Sequence, residues 1–362
     1  MKMKPAKQVS NSTRSNLITI GAIIIVYIIC QIMIANGSIS NLMKGLLIPL
    51  CYYSIMAVSL NLTVGILGEL SLGHAGFMCI GAFASAFFSK VTVDTIPNVF
   101  IRFTLAILIG ALAAALLGSL IGTVVLRLRG DYLAIVTLAF NEIIKNVMNV
   151  LYIGVDSEGV HFSIKDAASL NLEEGGQTIV NGPRGITGTP KDATFGIAIL
   201  LLILTFIIII NLVNSRSGRA IMAIRDNRIA AESMGIDITK FKILAFTISA
   251  SLAGVAGVLY SHNISTLIAT QKNFGYNMSI MILVFVVLGG IGNLRGSIIA
   301  AVVLTLLPEY LRFMQDYRMI IYAIVLIVMM IFNWNPKCIA WRKNHSIKGY
   351  LAMLFNKQKK EA

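Results

Sequence analysis

Long apolar runs recur along almost the whole chain, and they limit its fold more than any other feature. A helix needs about 20 mostly apolar residues to cross the roughly 30 Å of hydrocarbon in a bilayer. Because backbone polar groups find no water there, the crossing segments must be helical. The predicted fold class is therefore all-α, a polytopic transmembrane helical bundle. Its ten predicted spans lie at residues 17–35, 45–66, 71–89, 100–126, 132–151, 194–214, 242–262, 276–291, 297–312 and 319–334.

Two of these spans have weaker sequence signals than the others. The runs 71–89 and 276–291 are short and are interrupted by glycine. Discontinuous helices with such sequences occur in transporters. The sequence leaves open whether each run forms a complete, a broken or a re-entrant helix.

The composition favours a single membrane domain, predicted over residues 17–335. Hydrophobic residues make up 57% of the 362 residues and charged residues only 13%, whereas soluble domains carry about 25% charged residues. The first run, 17–35, is long for a signal peptide and lacks a good Ala-x-Ala cleavage site. It is therefore predicted to be a retained helix that follows a cytoplasmic segment, 1–16.

The chain is strongly basic, with a formal net charge of +14. Such a balance is found in nucleic-acid-binding proteins and in membrane proteins whose cytoplasmic loops collect Lys and Arg. The positions of the Lys and Arg residues along the chain favour the second class. This predicts a protein of the plasma or inner membrane with both termini in the cytoplasm. No nucleic-acid partner is predicted, and the basic tail is predicted to contact membrane lipid. The segments predicted to be cytoplasmic are 67–70, 127–131, 215–241, 292–296 and the tail 336–362.

The predicted extracytoplasmic loop, 152–193, is long and acidic, with six acidic residues against three basic ones. Loops of this length are usually either functional or disordered. The Gly and Pro residues in this loop predict turns rather than a folded domain.

Catalytic and metal-binding patterns are absent from the sequence. It has no Gly-x-x-x-x-Gly-Lys-Ser/Thr phosphate-binding loop, no His-x-x-x-His pair and no nucleophile elbow. The chain is therefore not expected to be an enzyme, and no catalytic, cofactor-binding or metal-binding residues are predicted. The cysteines are interpreted as small apolar side chains, and they are Cys30, Cys51, Cys79 and Cys338.

The segment 215–241 contains the pattern of a short helix. Asn227 is a suitable N-cap for a helix that extends through Glu232, and Gly235 is a suitable C-terminal stop. So short a helix has little stability of its own, and it could dock into a groove of another protein. The alternative is a solvated, positively charged loop.

Four polar residues in or beside the spans are candidates for lining a pathway. Glu142 can pair with Lys145 three residues later, and charges within a span usually face the bundle interior or a wet cavity. A structural ion pair is the alternative, and His74 could equally bond a backbone carbonyl. The pathway candidates are Asn61, His74, Asn141 and Glu142.

Two glycine-rich stretches, Gly65–Gly76 and Gly289–Gly296, resemble each other. Internal repeats are common in transporters, and small residues also allow close helix packing. The sequence does not decide between a repeat and tight packing.

Six stretches, in order, together resemble the permease subunits of branched-chain amino-acid ABC importers, specifically the shorter of the two paralogous permeases. They comprise Leu70-Ser-Leu-Gly-His-Ala-Gly-Phe, Leu126-Arg-Leu-Arg-Gly-Asp-Tyr through Glu142, Asn181-Gly-Pro-Arg-Gly-Ile, Ser217-Gly-Arg-Ala through Gly235-Ile, Lys242-Ile-Leu-Ala-Phe-Thr-Ile-Ser-Ala through Gly257, and Val287-Leu-Gly-Gly-Ile-Gly-Asn-Leu-Arg-Gly.

The resemblance implies a bundle of the importer-permease type that needs partners. These are a paralogous permease, two cytoplasmic ABC ATPases and an extracytoplasmic substrate-binding protein. ATP hydrolysis on partner chains would then drive the import of branched-chain amino acids. The alternatives are a permease for urea or short amides and a stand-alone secondary transporter.

The resemblance also implies a coupling role for the segment 215–241. The family pattern Glu-Ala-Ala-x-x-x-Gly appears here with Ile229 in place of the glutamate. The loop 152–193 is longer than is usual in the family and is expected to touch the binding protein. The residues expected to couple to the ATPase are Arg219, Arg225, Ala230, Ala231, Glu232 and Gly235.

Overall fold

A computed structural model of the chain describes residues 6–37, 40–126, 131–157, 159–173, 175–312 and 317–334. The predicted basic tail 336–362, which includes Cys338, lies outside these residues. Contacts divide the chain into two compact units, residues 1–302 and 303–362.

Helices account for most of the described chain, which confirms the predicted all-α bundle. The π-helical turn Leu62–Leu67 continues the second helix. The helices are α1 Ala6–Ala35, α2 Asn41–Asn61, α3 His74–Val91, α4 Val99–Val125, α5 Asp131–Val150, α6 Phe195–Asn214, α7 Arg216–Asp226, α8 Arg228–Ser233, α9 Ile238–Ser261, α10 Gln271–Phe274, α11 Tyr276–Gly289, α12 Leu294–Tyr310 and α13 Arg318–Trp334.

Eight helical segments in the described chain are long and apolar enough to cross a membrane. They match the first eight of the ten predicted spans. The last two predicted spans correspond to α12 and α13, which have 17 residues each. A helix of that length rises about 26 Å, slightly less than the thickness of the hydrocarbon layer.

The two weak spans have different structures. The run 71–89 becomes one continuous helix, α3, which begins at His74. The run 276–291 is the later part of a broken helix, in which α10 and α11 are separated by Gly275 with extended backbone angles.

The core of the first unit forms where α3, α4 and α9 pack against one another through small residues. A Cβ atom added at Gly254 would lie 2.5 Å from the Ala114 Cβ and 2.7 Å from the Gly110 carbonyl oxygen. One added at Gly81 would lie 2.4 Å from the Gly254 carbonyl oxygen. Small residues therefore let these helix backbones approach closely.

Polar contacts group several of the connecting segments at one end of the first unit, here called the inner end. The Asn61 side chain accepts a 2.8 Å hydrogen bond from the Gly292 N–H, and Lys242 forms an ion pair with Glu69. The Arg295 guanidinium donates to the Asn16 side chain over 2.6 Å. The segments 67–70, 215–241 and 292–296 thus lie together, as the predicted alternation of spans requires.

Other polar contacts define the opposite, outer end of the first unit. Arg102 forms a 2.9 Å ion pair with Asp192, and the Asn149 side chain donates to the Ala269 carbonyl over 2.8 Å. The 152–193 loop is therefore attached to the start of α4, and the end of α5 is attached to the segment that follows α9.

The outer loop contains a small antiparallel sheet, which the prediction of turns rather than a folded domain did not include. Its strands β1 Tyr152–Val155, β2 Val160–Ser163 and β3 Gln177–Asn181 have the order β2-β1-β3. A second pair joins β4, Ile186–Thr187, to β5, Thr266–Leu267. The strands are short, and some pair with strands that are distant in sequence. The Gly and Pro pattern of neighbouring residues therefore does not reveal the pairing.

Candidate coupling surface and pathway residues

The segment between α6 and α9 forms two capped helices, α7 and α8. The Ser215 side chain caps α7 by accepting a hydrogen bond from Gly218 N–H, and the Asn227 side chain caps α8 by accepting one from Ala230 N–H. Gly235 ends α8 with a φ of 76°, and the N–H of the next residue, Ile236, donates to the Ala231 carbonyl over 3.1 Å. The predicted short helix, its cap and its stop are confirmed.

Buried apolar contacts hold α8 against the rest of the first unit. Ile224 of α7, Ala231 of α8 and Ile238 of α9 form one buried cluster. Ile221 of α7 is fully buried in a neighbouring cluster. The short helix is therefore packed against both of its neighbours in sequence.

Arg225 connects α7 to the segment that links α2 and α3. Its guanidinium donates a 3.0 Å hydrogen bond to the Gly65 carbonyl, and its aliphatic stem lies against Gly68, whose φ of 81° ends the π-helical turn. A neighbouring ion pair joins Lys242 at the start of α9 to Glu69. The segment 65–69 thus contacts both α7 and α9.

The six coupling candidates divide into two groups. Arg219 donates a hydrogen bond of 3.0 Å to the Asn214 carbonyl at the end of α6. Like Arg225, it therefore has a hydrogen-bond partner within its own chain. Ala231 is buried. Arg219 and Arg225 are nevertheless exposed, as are Ala230, Glu232 and Gly235.

Two exposed residues of the coupling segment were missing from the predicted set. Ile229 is 77% exposed and Met234 is 82% exposed. Their signal was present in the sequence, because both are apolar residues in an otherwise charged stretch. We call Ile229, Ala230, Glu232, Met234 and Gly235 the coupling surface.

Asn61 lies at a tight crossing of the two glycine-rich stretches. It is fully buried, and its amide nitrogen donates to the Ser297 hydroxyl over 2.7 Å. A Cβ atom added at Gly65 would lie 2.3 Å from the Gly292 nitrogen. The two stretches therefore pack against each other, and Asn61 holds that contact.

His74 and Asn141 are also enclosed. The His74 ring shares a 2.7 Å hydrogen bond with the Ser59 hydroxyl. Asn141 is fully buried, and neither polar atom of its side chain has a hydrogen-bond partner within the described chain. It packs against Gly76 of α3.

Glu142 is the pathway candidate with a partly exposed side chain. Its carboxylate accepts a 2.5 Å hydrogen bond from Lys145, a 3.1 Å bond from the Gln271 amide and a 3.0 Å bond from the Tyr276 N–H, the first of α11. The Glu142 side chain is 25% exposed and that of Lys145 is 9% exposed. Glu142 therefore joins α5 to both halves of the broken helix.

Fold and site together define a multi-pass helical membrane protein that presents a short exposed helix at one end of its bundle. In the described segments, no group of three or more His, Cys, Asp or Glu side chains could hold a metal ion.

The chain belongs to the family of permease components of branched-chain amino acid transport systems. The family pattern matches residues 42–330, a range that begins at the start of α2 and excludes α1. The resemblance seen in the sequence is thereby confirmed at the level of the family. Whether the chain is the shorter of two paralogues stays a prediction.

Its relatives include named transport permeases. The high-affinity branched-chain amino acid transport system permease protein LivM of Salmonella typhimurium is 32% identical, with 91% of this chain and 76% of the relative covered. LivM of Escherichia coli is 31% identical over the same shares. The autoinducer 2 import system permease protein LsrC of an Enterobacter strain is 29% identical over 37% of this chain and 41% of its own length. No solved structure gives a significant match.

Proposed function

We propose that the chain is the membrane-spanning permease subunit of an ATP-binding-cassette importer for branched-chain amino acids. It pairs with a paralogous permease and works with two ABC ATPases and an extracytoplasmic binding protein. The family and the names of the LivM relatives support the substrate and the transport system. The inner end of the first unit is proposed to face the cytoplasm, in agreement with the basic residues of the segment 215–241, and both termini are proposed to be cytoplasmic by the same charge rule.

The coupling surface is the observation that carries this proposal. Ile229 and Met234 stand out into solvent, where each forgoes roughly 1.5–3 kcal/mol of burial free energy. A groove on an ATPase would recover part of it, since an amphipathic helix binds by placing its apolar side chains in such a groove.

The contacts behind the coupling surface supply a route for movement. Motion of an ATPase would shift α8, and the Ile224–Ala231–Ile238 cluster would carry that shift to α7 and α9. Arg225 and the Lys242–Glu69 ion pair would pass it to the connection between α2 and α3. ATP hydrolysis on another chain would in this way move the membrane helices of this one.

The outer sheet is proposed to receive the binding protein. Val160 and Phe162, on one face of the edge strand β2, are 47% and 67% exposed, and Ile164 just beyond is 71% exposed. An exposed apolar patch of this kind is typical of an interaction site. Deleting residues 157–177 removes it, and unchanged docking and uptake would reject this role.

Among the pathway candidates, Glu142 is the one that we propose to contact the pathway. The enclosure of Asn61, His74 and Asn141 favours packing roles for those three residues. A Glu142→Gln change keeps the size of the side chain and removes its charge, so it should slow uptake while the complex still assembles. Uptake at the wild-type rate would make Glu142 a purely structural residue.

The function is tested by reconstituting the complete complex in vesicles with ATP inside. We expect uptake of leucine, isoleucine and valine, and no uptake when the ATPases are omitted. Uptake of urea in place of these amino acids would favour the short-amide permease. Uptake by this chain alone on an ion gradient would favour a secondary transporter.

A further inference from the structure

Helix α5 has one face buried in its own chain and one face left uncovered. The buried face, which packs on α3, includes Leu133, Thr137, Asn141 and Ile144. The uncovered side chains recur every three or four residues along the opposite face, and they are Tyr132, Ile135, Ala139, Ile143, Asn146, Val147 and Val150.

The uncovered face of α4 provides a comparison within the same unit. It is a row of exposed apolar side chains, Leu105, Leu108, Leu112, Leu116, Leu120 and Val124. Its exposed hydroxyls are satisfied by the helix itself, since Thr104 donates to the Phe100 carbonyl and Thr123 to the Leu120 carbonyl. Lipid can solvate such a face without leaving a polar group unpaired.

The α5 face, in contrast, carries an exposed amide and borders a partly exposed carboxylate. Asn146 is exposed, and its carboxamide forms no hydrogen bond within the described segments. Glu142 borders the face with a quarter of its side chain exposed. Given a rise of 1.5 Å per residue, Glu142 lies about 12 Å and Asn146 about 6 Å from the Val150 end of α5.

The adjoining start of α11 extends this polar region. Tyr276 and Asn277 are exposed there, and the Tyr276 N–H bonds to Glu142. Ionisable and amide groups at such depths are costly in hydrocarbon and usually face protein or a water-filled cavity. The face formed by α5 and the start of α11 is therefore better suited to contact with protein or water than with lipid.

We infer that the paralogous permease covers this face, with Glu142 and Asn146 beside a water-filled pathway between the two subunits. The inference rests on the proposed function, which supplies the second permease. Ala139 near the middle of the face allows a close helix approach, and amides such as Asn146 bond across helix interfaces in membranes. The α4 face is left to the lipid.

Photocrosslinking in the complete complex tests the assignment. The photoreactive residue p-benzoylphenylalanine is placed at Ile143 or Val147 on α5, and at Leu112 or Leu116 on α4 as matched controls. We expect the paralogous permease to be captured from α5 and not from α4. Capture from α4, or capture of a second copy of this chain from α5, would overturn the inference.

A second pair of variants covers the case in which the bulky probe disturbs the contact. Asn146→Leu on α5 and Thr123→Leu on α4 each replace an exposed polar side chain of a membrane-spanning helix by an apolar one. Neither change should prevent the chain from folding. We expect Asn146→Leu alone to lower the amount of heterodimer recovered from the membrane. Unchanged recovery would contradict the inference. ATP-driven uptake together with capture from α4 would reject this face and leave the importer function standing.

Discussion

Gly254 shows how strongly single residues limit the packing of the bundle. The space around it is filled by the backbone of Gly110 and the side chain of Ala114, and the helices α3 and α9 meet beside it at Gly81. A larger side chain could enter only if whole helices moved apart. The small residues within the apolar runs therefore determine which helices pack against each other.

A Gly254→Val change should lower the stability of the protein, because overpacking costs about 1–3 kcal/mol and the obstructing atoms include backbone. Gly21→Val is the matched control, since no atom lies within 4 Å of a Cβ added there. We expect a lower melting temperature and less monodisperse protein in detergent for Gly254→Val alone. Equal behaviour of the two variants would contradict the packing of α4 on α9.

Gly235 is limited by its backbone instead. A Cβ atom added at Gly235 meets nothing within 4 Å, but its φ of 76° is left-handed, which costs other residues about 1–2 kcal/mol. Gly235→Ala should therefore speed amide exchange in α8. Gly45→Ala, also in open space but inside α2, should leave exchange unchanged, and faster exchange in neither variant would argue against the helix stop.

At the scale of elements, the coupling surface and the outer sheet are proposed to bind different partners at opposite ends of the first unit. The double variant Ile229→Ala with Met234→Ala should weaken binding of the ATPases about tenfold or more, given the burial free energy of two large apolar side chains. The double variant Val160→Ala with Phe162→Ala should weaken binding of the binding protein instead.

Each double variant is the control for the other, because both remove exposed apolar surface without entering a core. Co-purification of the ATPases and titration of the binding protein measure the two effects separately. A loss of both partners in either variant would indicate misfolding, and a reversed pattern would contradict the assignment of the two ends.

The outer sheet should also respond to pH through Asp156. Burial opposes ionisation of this carboxyl, yet hydrogen bonds from the Glu173 and Gly159 N–H groups and from His161 hold its pKa below the ordinary value. A depressed pKa means that these bonds contribute stability above the ordinary pKa of about 3.9 and lose it as the pH falls through the folded value.

Asp156→Asn should accordingly lower the protection of the β1 amides at pH 7. The difference from the wild type should begin to shrink as the pH falls below the ordinary pKa of about 3.9, and it should be smallest once the pH lies below the depressed pKa of the native carboxyl. Amide protection factors, corrected for the intrinsic pH dependence of exchange, measure this. A difference that stays constant down to the acid limit would show that the charge of Asp156 does not support the sheet.

Local signals made some elements predictable and left others hidden. The position of each span follows from its length and hydrophobicity, and α8 follows from Asn227 and Gly235, because these are properties of neighbouring residues. The state of the run 276–291 was left open, since its glycines are compatible with both straight and interrupted helices, and the break lies at Gly275, just before that run. The outer sheet was missed because β1 pairs with β3 across an intervening strand.

The same distinction applies to the candidate site. Arg219 and Arg225 were expected to couple to an ATPase because the family resemblance gives that role to the segment 215–241. Within the chain they donate to the carbonyls of Asn214 and Gly65, the second of which is 160 residues away in sequence, while both side chains remain exposed. Only the folded chain shows that the apolar side chains of Ile229 and Met234 are largely exposed at this surface.

For the whole molecule, the two proposed partner-binding surfaces lie at opposite ends of the first unit. The bundle of the first unit joins an exposed helix at the inner end to a small sheet at the outer end, and α5 leaves a polar face between them. This arrangement suits a subunit that binds the ATPases at its inner end and the substrate-binding protein at its outer end. Its α5 face would then share a pathway with the paralogous permease.

The most direct test measures leucine uptake into vesicles that contain the complete complex, with wild-type chain or with Ile229→Ala and Met234→Ala. We expect ATP-dependent uptake with the wild type and a strong loss with the variant, although the variant still forms the heterodimer with the paralogous permease. Undiminished uptake by the variant, or uptake by the wild-type chain without any ATPase, would contradict an importer driven through the coupling surface.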